Sequence, residues 1–175
     1  MTSSTLRLRT TLVVASLLPV AGMARADCAP VIAAYAKAES SGRYAVYDVA
    51  TMDAPAKGQP FQVTVGRAGY IFMGEKYKSI GGGTAGSEGQ ALKAREQKGT
   101  ARCEPIADHS FGGESAAGWR IHDARARSLG DDAAINFYVS KSTGLPIYHA
   151  MGSNAGLRWA YGPTVVVPGA DRIEK

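Results

Sequence analysis

The sequence predicts an α+β fold: a curved antiparallel sheet or half-open β-barrel, with an N-terminal helix and room for one short central helix. Three observations carry that expectation. Apolar residues alternate at period two in short stretches along the chain, glycine and proline punctuate the intervals, and only residues 29–40 show clean helical spacing. Strands joined by short turns pair antiparallel, and strands with one apolar face each must converge on a shared interior.

The first segment is set aside before the elements are read. Residues 1–26 have the layout of a cleaved signal peptide: basic Arg7 and Arg9, an apolar run over 10–20, then Ala24-Arg25-Ala26 as a small-x-small cleavage site. The apolar run is broken by Pro19 and is shorter than the roughly 20 residues of a membrane span. The expectation is a single domain over 27–175, exported to the periplasm and soluble after cleavage. Removing Arg7, Arg9 and Arg25 takes the formal charge from +5 to +2. Arg120, Arg125 and Arg127 are interspersed with Asp123, Asp131 and Asp132, which argues against a nucleic-acid stripe. Two cysteines, Cys28 and Cys103, in an oxidising compartment point to one disulfide; a pair of free thiols would need a reducing one.

Taken in order, 29–40 places Val31, Ala34, Tyr35 and Ala38 on one face of a helix of about three turns, with Pro30 suited to its start. From Arg43 the period is two, with Tyr44, Val46 and Asp48 on one side and Ala45, Tyr47 and Val49 on the other. A turn-rich connector at 51–60 leads to Phe61, Val63 and Val65, the apolar face of a second strand. Tyr70-Ile71-Phe72-Met73 returns as a strand apolar on both faces, so that Ile71 and Met73 share one of them. The glycine-rich 81–89 reads as a mobile loop, and 88–98 as a short helix with little apolar face beyond Ala91, Leu92 and Ala94. Strands follow at 101–107 and 119–127, the latter turning Arg120 and His122 to solvent, with a glycine-broken loop at 109–118 between them and a turn at 128–132. Ile135, Phe137 and Val139 then share one face of a strand that closes through Ser142-Thr143-Gly144-Leu145-Pro146 onto its partner. Leu157, Trp159 and Tyr161 mark the last strand before a valine-rich tail at 164–168.

Reactive chemistry finds little purchase. The glycine run lacks the Lys-Ser/Thr of a phosphate loop and the long apolar helix of a dinucleotide loop, and Gly86-Ser87-Glu88-Gly89 lacks the spacing of a nucleophile elbow. His109, His122 and His149 sit at no metal-ligand spacing and read as histidines on solvated strands. A Ser-His-Asp set assembled in space has no specific support in the order of residues. The expectation is a non-enzymatic protein with no cofactor, no metal, and no nucleic-acid partner. Its apolar faces either wrap their own helix in a filled core or leave a cavity for a ligand.

One resemblance bears on that choice. The strand from Val139, the Thr143-Gly144-Leu145-Pro146 turn, a strand ending Ala160-Tyr161-Gly162-Pro163 and the tail to Pro168 resemble the C-terminal half of LolA-like periplasmic proteins. Phe61 to Gly66 with Tyr70 to Met73 is similar to their early barrel strands, and 29–40 to their N-terminal helix. The glycine-rich 81–89 and the Cys28/Cys103 pair depart from that pattern, so lipoprotein transfer is not carried over. The resemblance implies a half-open barrel mouthed by helices and an apolar or lipid-like ligand. The residues expected to hold it are Phe61, Val63, Val65, Ile71, Met73, Ile135, Phe137, Val139 and Trp159. The second expectation is a module that inhibits or protects a cell-envelope enzyme through an exposed loop at 79–89 or 109–118.

Overall fold

A computed structural model describes residues 27–124, 134–151 and 156–174. The segment 1–26 expected to be a signal peptide, the turn expected at 128–132 and the end of the strand expected at 119–127 lie outside the described residues. Helix α1 (Ala29–Ser41) buries Val31, Ala34, Tyr35 and Ala38, the four residues its spacing selects, and stops at Gly42, whose φ of 63° needs no Cβ. Strands β1 (Arg43–Val49), β2 (Gln62–Val65), β3 (Ala68–Phe72) and β4 (Tyr77–Gly81) follow. Helix α2 (Ala85–Gln97) then leads to β5 (Ala101–Phe111), β6 (Glu114–Asp123), β7 (Ile135–Ser140), β8 (Pro146–Met151) and β9 (Gly156–Tyr161). All nine strands form one antiparallel sheet in the order β4-β3-β2-β1-β9-β8-β7-β6-β5.

The two edges, β4 and β5, are joined in sequence by α2. In a flat sheet they would lie about 38 Å apart, whereas a 13-residue helix spans about 20 Å. The sheet therefore curls around its helices without closing.

The helices lie antiparallel on one face, clamped at both ends. Glu96 Oε1 accepts the Cys28 backbone N–H at 2.7 Å, and Glu39 Oε2 accepts that of Gly86 at 3.3 Å. The disulfide Cys28–Cys103, Cα atoms 4.9 Å apart, fastens the start of α1 to β5. Arg95 on α2 pairs with the buried Asp123 on β6 at 2.8 Å.

The glycine run is not the loop its composition suggests. Gly81 ends β4, and Gly86 and Gly89 lie inside α2. A Cβ on Gly83 would fall 2.6 Å from Glu39 Oε2 and from the Tyr44 hydroxyl; on Gly86, 3.1 Å from Glu39 Cγ; on Gly89, 3.0 Å from Tyr35 Cβ. Glycine at every third position lets α2 approach α1 closely. Likewise 109–118 is the β5–β6 hairpin, with its turn at Gly112 and Gly113, and not an irregular loop.

Both faces of the sheet are covered. Under the helices lie Tyr44, Val46, Cys103, Ile121, Phe137 and Trp159. On the opposite face the 50–60 connector lays Met52 and Ala54 over Val49, Phe111, Tyr138 and Tyr148. The tail lays Val165 and Ile173 over Ala45, Val63 and Tyr77.

Candidate functional site

Where the interior is filled is set by register. Tyr44 opposes Thr64 and Val46 opposes Gln62, so the polar residues of β2 face the helices. They have work there. The Tyr44 hydroxyl accepts the backbone N–H of Thr84 at 3.0 Å and of Ala85 at 3.1 Å, which caps α2, while the Thr84 hydroxyl donates to Gln62 Oε1 at 2.9 Å. Farther along, Tyr35 of α1 packs against Phe137 with its ring tilted by 49°, centroids 4.9 Å apart, and meets Trp159 edge-on at 6.2 Å. Burial raises the Tyr35 and Tyr161 hydroxyls well above the ordinary tyrosine range.

The filled core gives way at one end of the sheet. There a cavity of about 670 Å³ opens where β1 ends (Asp48, Val49, then Ala50), β2 approaches (Phe61) and β7 begins (Ile135). Its remaining walls are His149 and Ala150 at the end of β8 and Gly156 and Leu157 at the start of β9. The wall is mostly apolar. The volume falls within the roughly 300–1,000 Å³ of small-molecule sites. A Cβ on Gly156 would lie 2.6 Å from the His149 carbonyl oxygen and the Tyr148 hydroxyl, so glycine is what allows β8 and β9 to meet at this rim.

One row of side chains crosses this region. Phe137 opposes His149, His149 opposes Leu157, and Leu157 opposes Asp48, so the four share the helix-bearing face across four adjacent strands. His149 stacks on Phe137 with centroids 6.0 Å apart and 15° between planes, and its Nδ1 accepts the Trp159 indole N–H at 3.2 Å. Desolvation holds the imidazole at a pKa of about 4, against 6.5 in water, so it is neutral at physiological pH. Asp48 is exposed at the outer end of the row.

Of the nine residues expected to hold a ligand, the structure places two, Phe61 and Ile135, at this cavity. Phe137, Val139 and Trp159 pack in the core against α1. Val63 and Val65 are on the opposite face beneath the tail, because Val63 opposes Ala45 and not Tyr44. Ile71 faces the helix side from the outer part of the sheet, half-buried, and opposes Gln62 and Lys78. Met73 falls beyond β3, in the turn to β4, and is 66% exposed. Sequence reasoning missed Asp48 and Leu157 as site residues and read His149 as a solvated histidine, whereas it is half-buried, stacked on Phe137 and bonded to Trp159. Of the other histidines, His109 pairs with Asp53 at 2.7 Å and His122 with Glu104 at 2.9 Å. His122 also holds the Glu104 carboxyl below its usual range.

No family model and no curated protein matches the chain. Among solved structures it is similar to the crystal structure of MucB, with 12% identity and a TM-score of 0.40, over 87% of this chain and 64% of the MucB chain. The chain thus spans less than two thirds of that protein. Among the described residues, no helix is long and apolar enough to cross a membrane.

Proposed function

We propose that this chain is an exported, periplasmic protein of LolA-like architecture that binds an apolar or lipid-like small molecule without catalysis. The observation that carries the reading is the cavity of about 670 Å³ at the mouth of a curled sheet, walled by Val49, Phe61, Ile135 and Leu157. Apolar walls with a few polar groups are the usual make-up of a small-molecule site. The signal-peptide layout and the Cys28–Cys103 disulfide support export to an oxidising compartment. No feature favours the inhibitor-like reading over this one: the segments it would use, 79–89 and 109–118, are built into β4, α2 and the β5–β6 hairpin.

Native mass spectrometry of protein secreted by an exporting host, with lipid extraction of the same sample, tests the proposal. A bound apolar species of discrete mass, lost on Leu157→Arg, is the expected result. Repeated recovery of bare protein that also takes up no apolar dye overturns it.

A further inference from the structure

The wall of the cavity carries one polar group whose protonation is fixed by its neighbours. An indole N–H can only donate, so the bond from Trp159 Nε1 at 3.2 Å requires a lone pair on His149 Nδ1. In a neutral ring the proton is then on Nε2. His149 borders the cavity and Trp159 does not, so the ring atom engaged by Trp159 is spent on the core and Nε2 is the donor that His149 can offer a ligand. With Nδ1 committed to Trp159, Nε2 is the polar atom of the ring that remains to meet a ligand. An N–H donor in a mostly apolar wall is a recognition element: a ligand that offers it no acceptor leaves it unpaired.

The second polar group is Asp48, exposed at the rim two strands from His149 in the same cross-strand row. At a strand spacing of about 4.8 Å the two residues are about 10 Å apart. They therefore act on different parts of a ligand. A carboxylate at the entrance disfavours an anionic head group, and the apolar wall adds the cost of desolvating one.

We propose that the cavity selects a neutral acyl chain bearing a carbonyl acceptor, as in an ester or amide, over bare hydrocarbon and over a fatty carboxylate. His149 Nε2–H donates to the carbonyl oxygen, and Asp48 turns anions away. This rests on the ligand-binding reading above, and the experiment separates the two.

Displacement of the neutral dye N-phenylnaphthylamine from the mature protein is measured with methyl dodecanoate, dodecanoate and tridecane at neutral pH. The ester binds about tenfold more tightly than the hydrocarbon, the worth of one hydrogen bond. His149→Phe erases that difference, while His149→Gln, which offers an acceptor to Trp159 and a donor to the ligand, retains it. Asp48→Asn, at an exposed position, strengthens dodecanoate binding a few-fold relative to the ester. Equal affinity for ester and hydrocarbon in the wild-type protein, or a preference that survives His149→Phe, overturns the role of His149 while leaving the binding reading intact. Dodecanoate binding ahead of the ester overturns the role of Asp48. Failure of the dye and all three probes to bind overturns both readings. The wild-type comparison and Asp48→Asn stand even where His149→Phe does not fold.

Discussion

Replacing His149 with phenylalanine should change the pH dependence of stability more than its value at neutral pH. In the folded chain the imidazole titrates at about 4, because burial among Phe137 and Trp159 removes the water that would solvate its charge; unfolded, it titrates near 6.5. Above pH 6.5 both states are neutral and the linkage contributes nothing. As pH falls from 6.5 toward 4 the unfolded chain takes up a proton that the folded chain refuses, so wild-type stability declines. The full depression corresponds to about 3 kcal/mol. The phenylalanine variant escapes that loss but leaves the Trp159 N–H without its acceptor, at a cost of about 1–3 kcal/mol at every pH. The wild-type protein is therefore the more stable at pH 7, and its advantage shrinks or inverts by pH 4. Asp48, the carboxylate of the same row, is present in both proteins, as are the surface carboxylates, so the difference between the two profiles isolates the histidine. Urea unfolding midpoints of both proteins from pH 7 to pH 4 give the comparison. Parallel profiles would refute a desolvated, neutral imidazole.

Three further outcomes follow from the packing. Reducing Cys28–Cys103, which encloses a sequence separation of 75, lowers unfolding stability by about 2–4 kcal/mol, read from denaturation of oxidised and reduced protein. Tyr44→Phe removes the acceptor for two backbone N–H groups at the start of α2, costs about 1–3 kcal/mol, and shows as faster amide hydrogen exchange at Thr84 and Ala85. Gly69→Ala puts a Cβ 2.1 Å from the Gly82 carbonyl oxygen, a backbone atom that no rotamer change can move; a fall in melting temperature larger than that of Gly82→Ala, whose own Cβ would meet nothing within 4 Å, is the check.

Much of the architecture was legible because alternation and helical spacing are local. The buried face of α1 is the one its spacing selects, and the Ser-Thr-Gly-Leu-Pro turn closes β7 onto β8 as its residues require. What alternation cannot state is which face of a strand meets which layer. Phe61, Val63 and Val65 have the parity of one face, but β2 turns Gln62 and Thr64 to the helices because Tyr44 and Thr84 need partners there. The apolar residues on both sides of β1 were a usable sign that both faces of the sheet are covered. The glycine run misled through composition: its spacing of three, Gly83, Gly86 and Gly89, suits close packing on α1, and that signal was present. Of the site itself only Phe61 and Ile135 were legible. Asp48, Leu157 and His149 become neighbours only when β1, β9 and β8 lie side by side, and that non-adjacent order is a property of the fold.

The central claim is that a ligand enters the cavity at the strand ends and not another face of the sheet. The test is to titrate methyl dodecanoate into isotope-labelled protein spanning residues 27–175 and to follow its backbone amide resonances. The account predicts saturable shifts at Asp48, Ile135, His149 and Leu157, with Val63 and Val65 beneath the tail unmoved. Shifts centred on Val63, Val65 and the exposed Val166 and Val167, or no saturable shift at all, would contradict it.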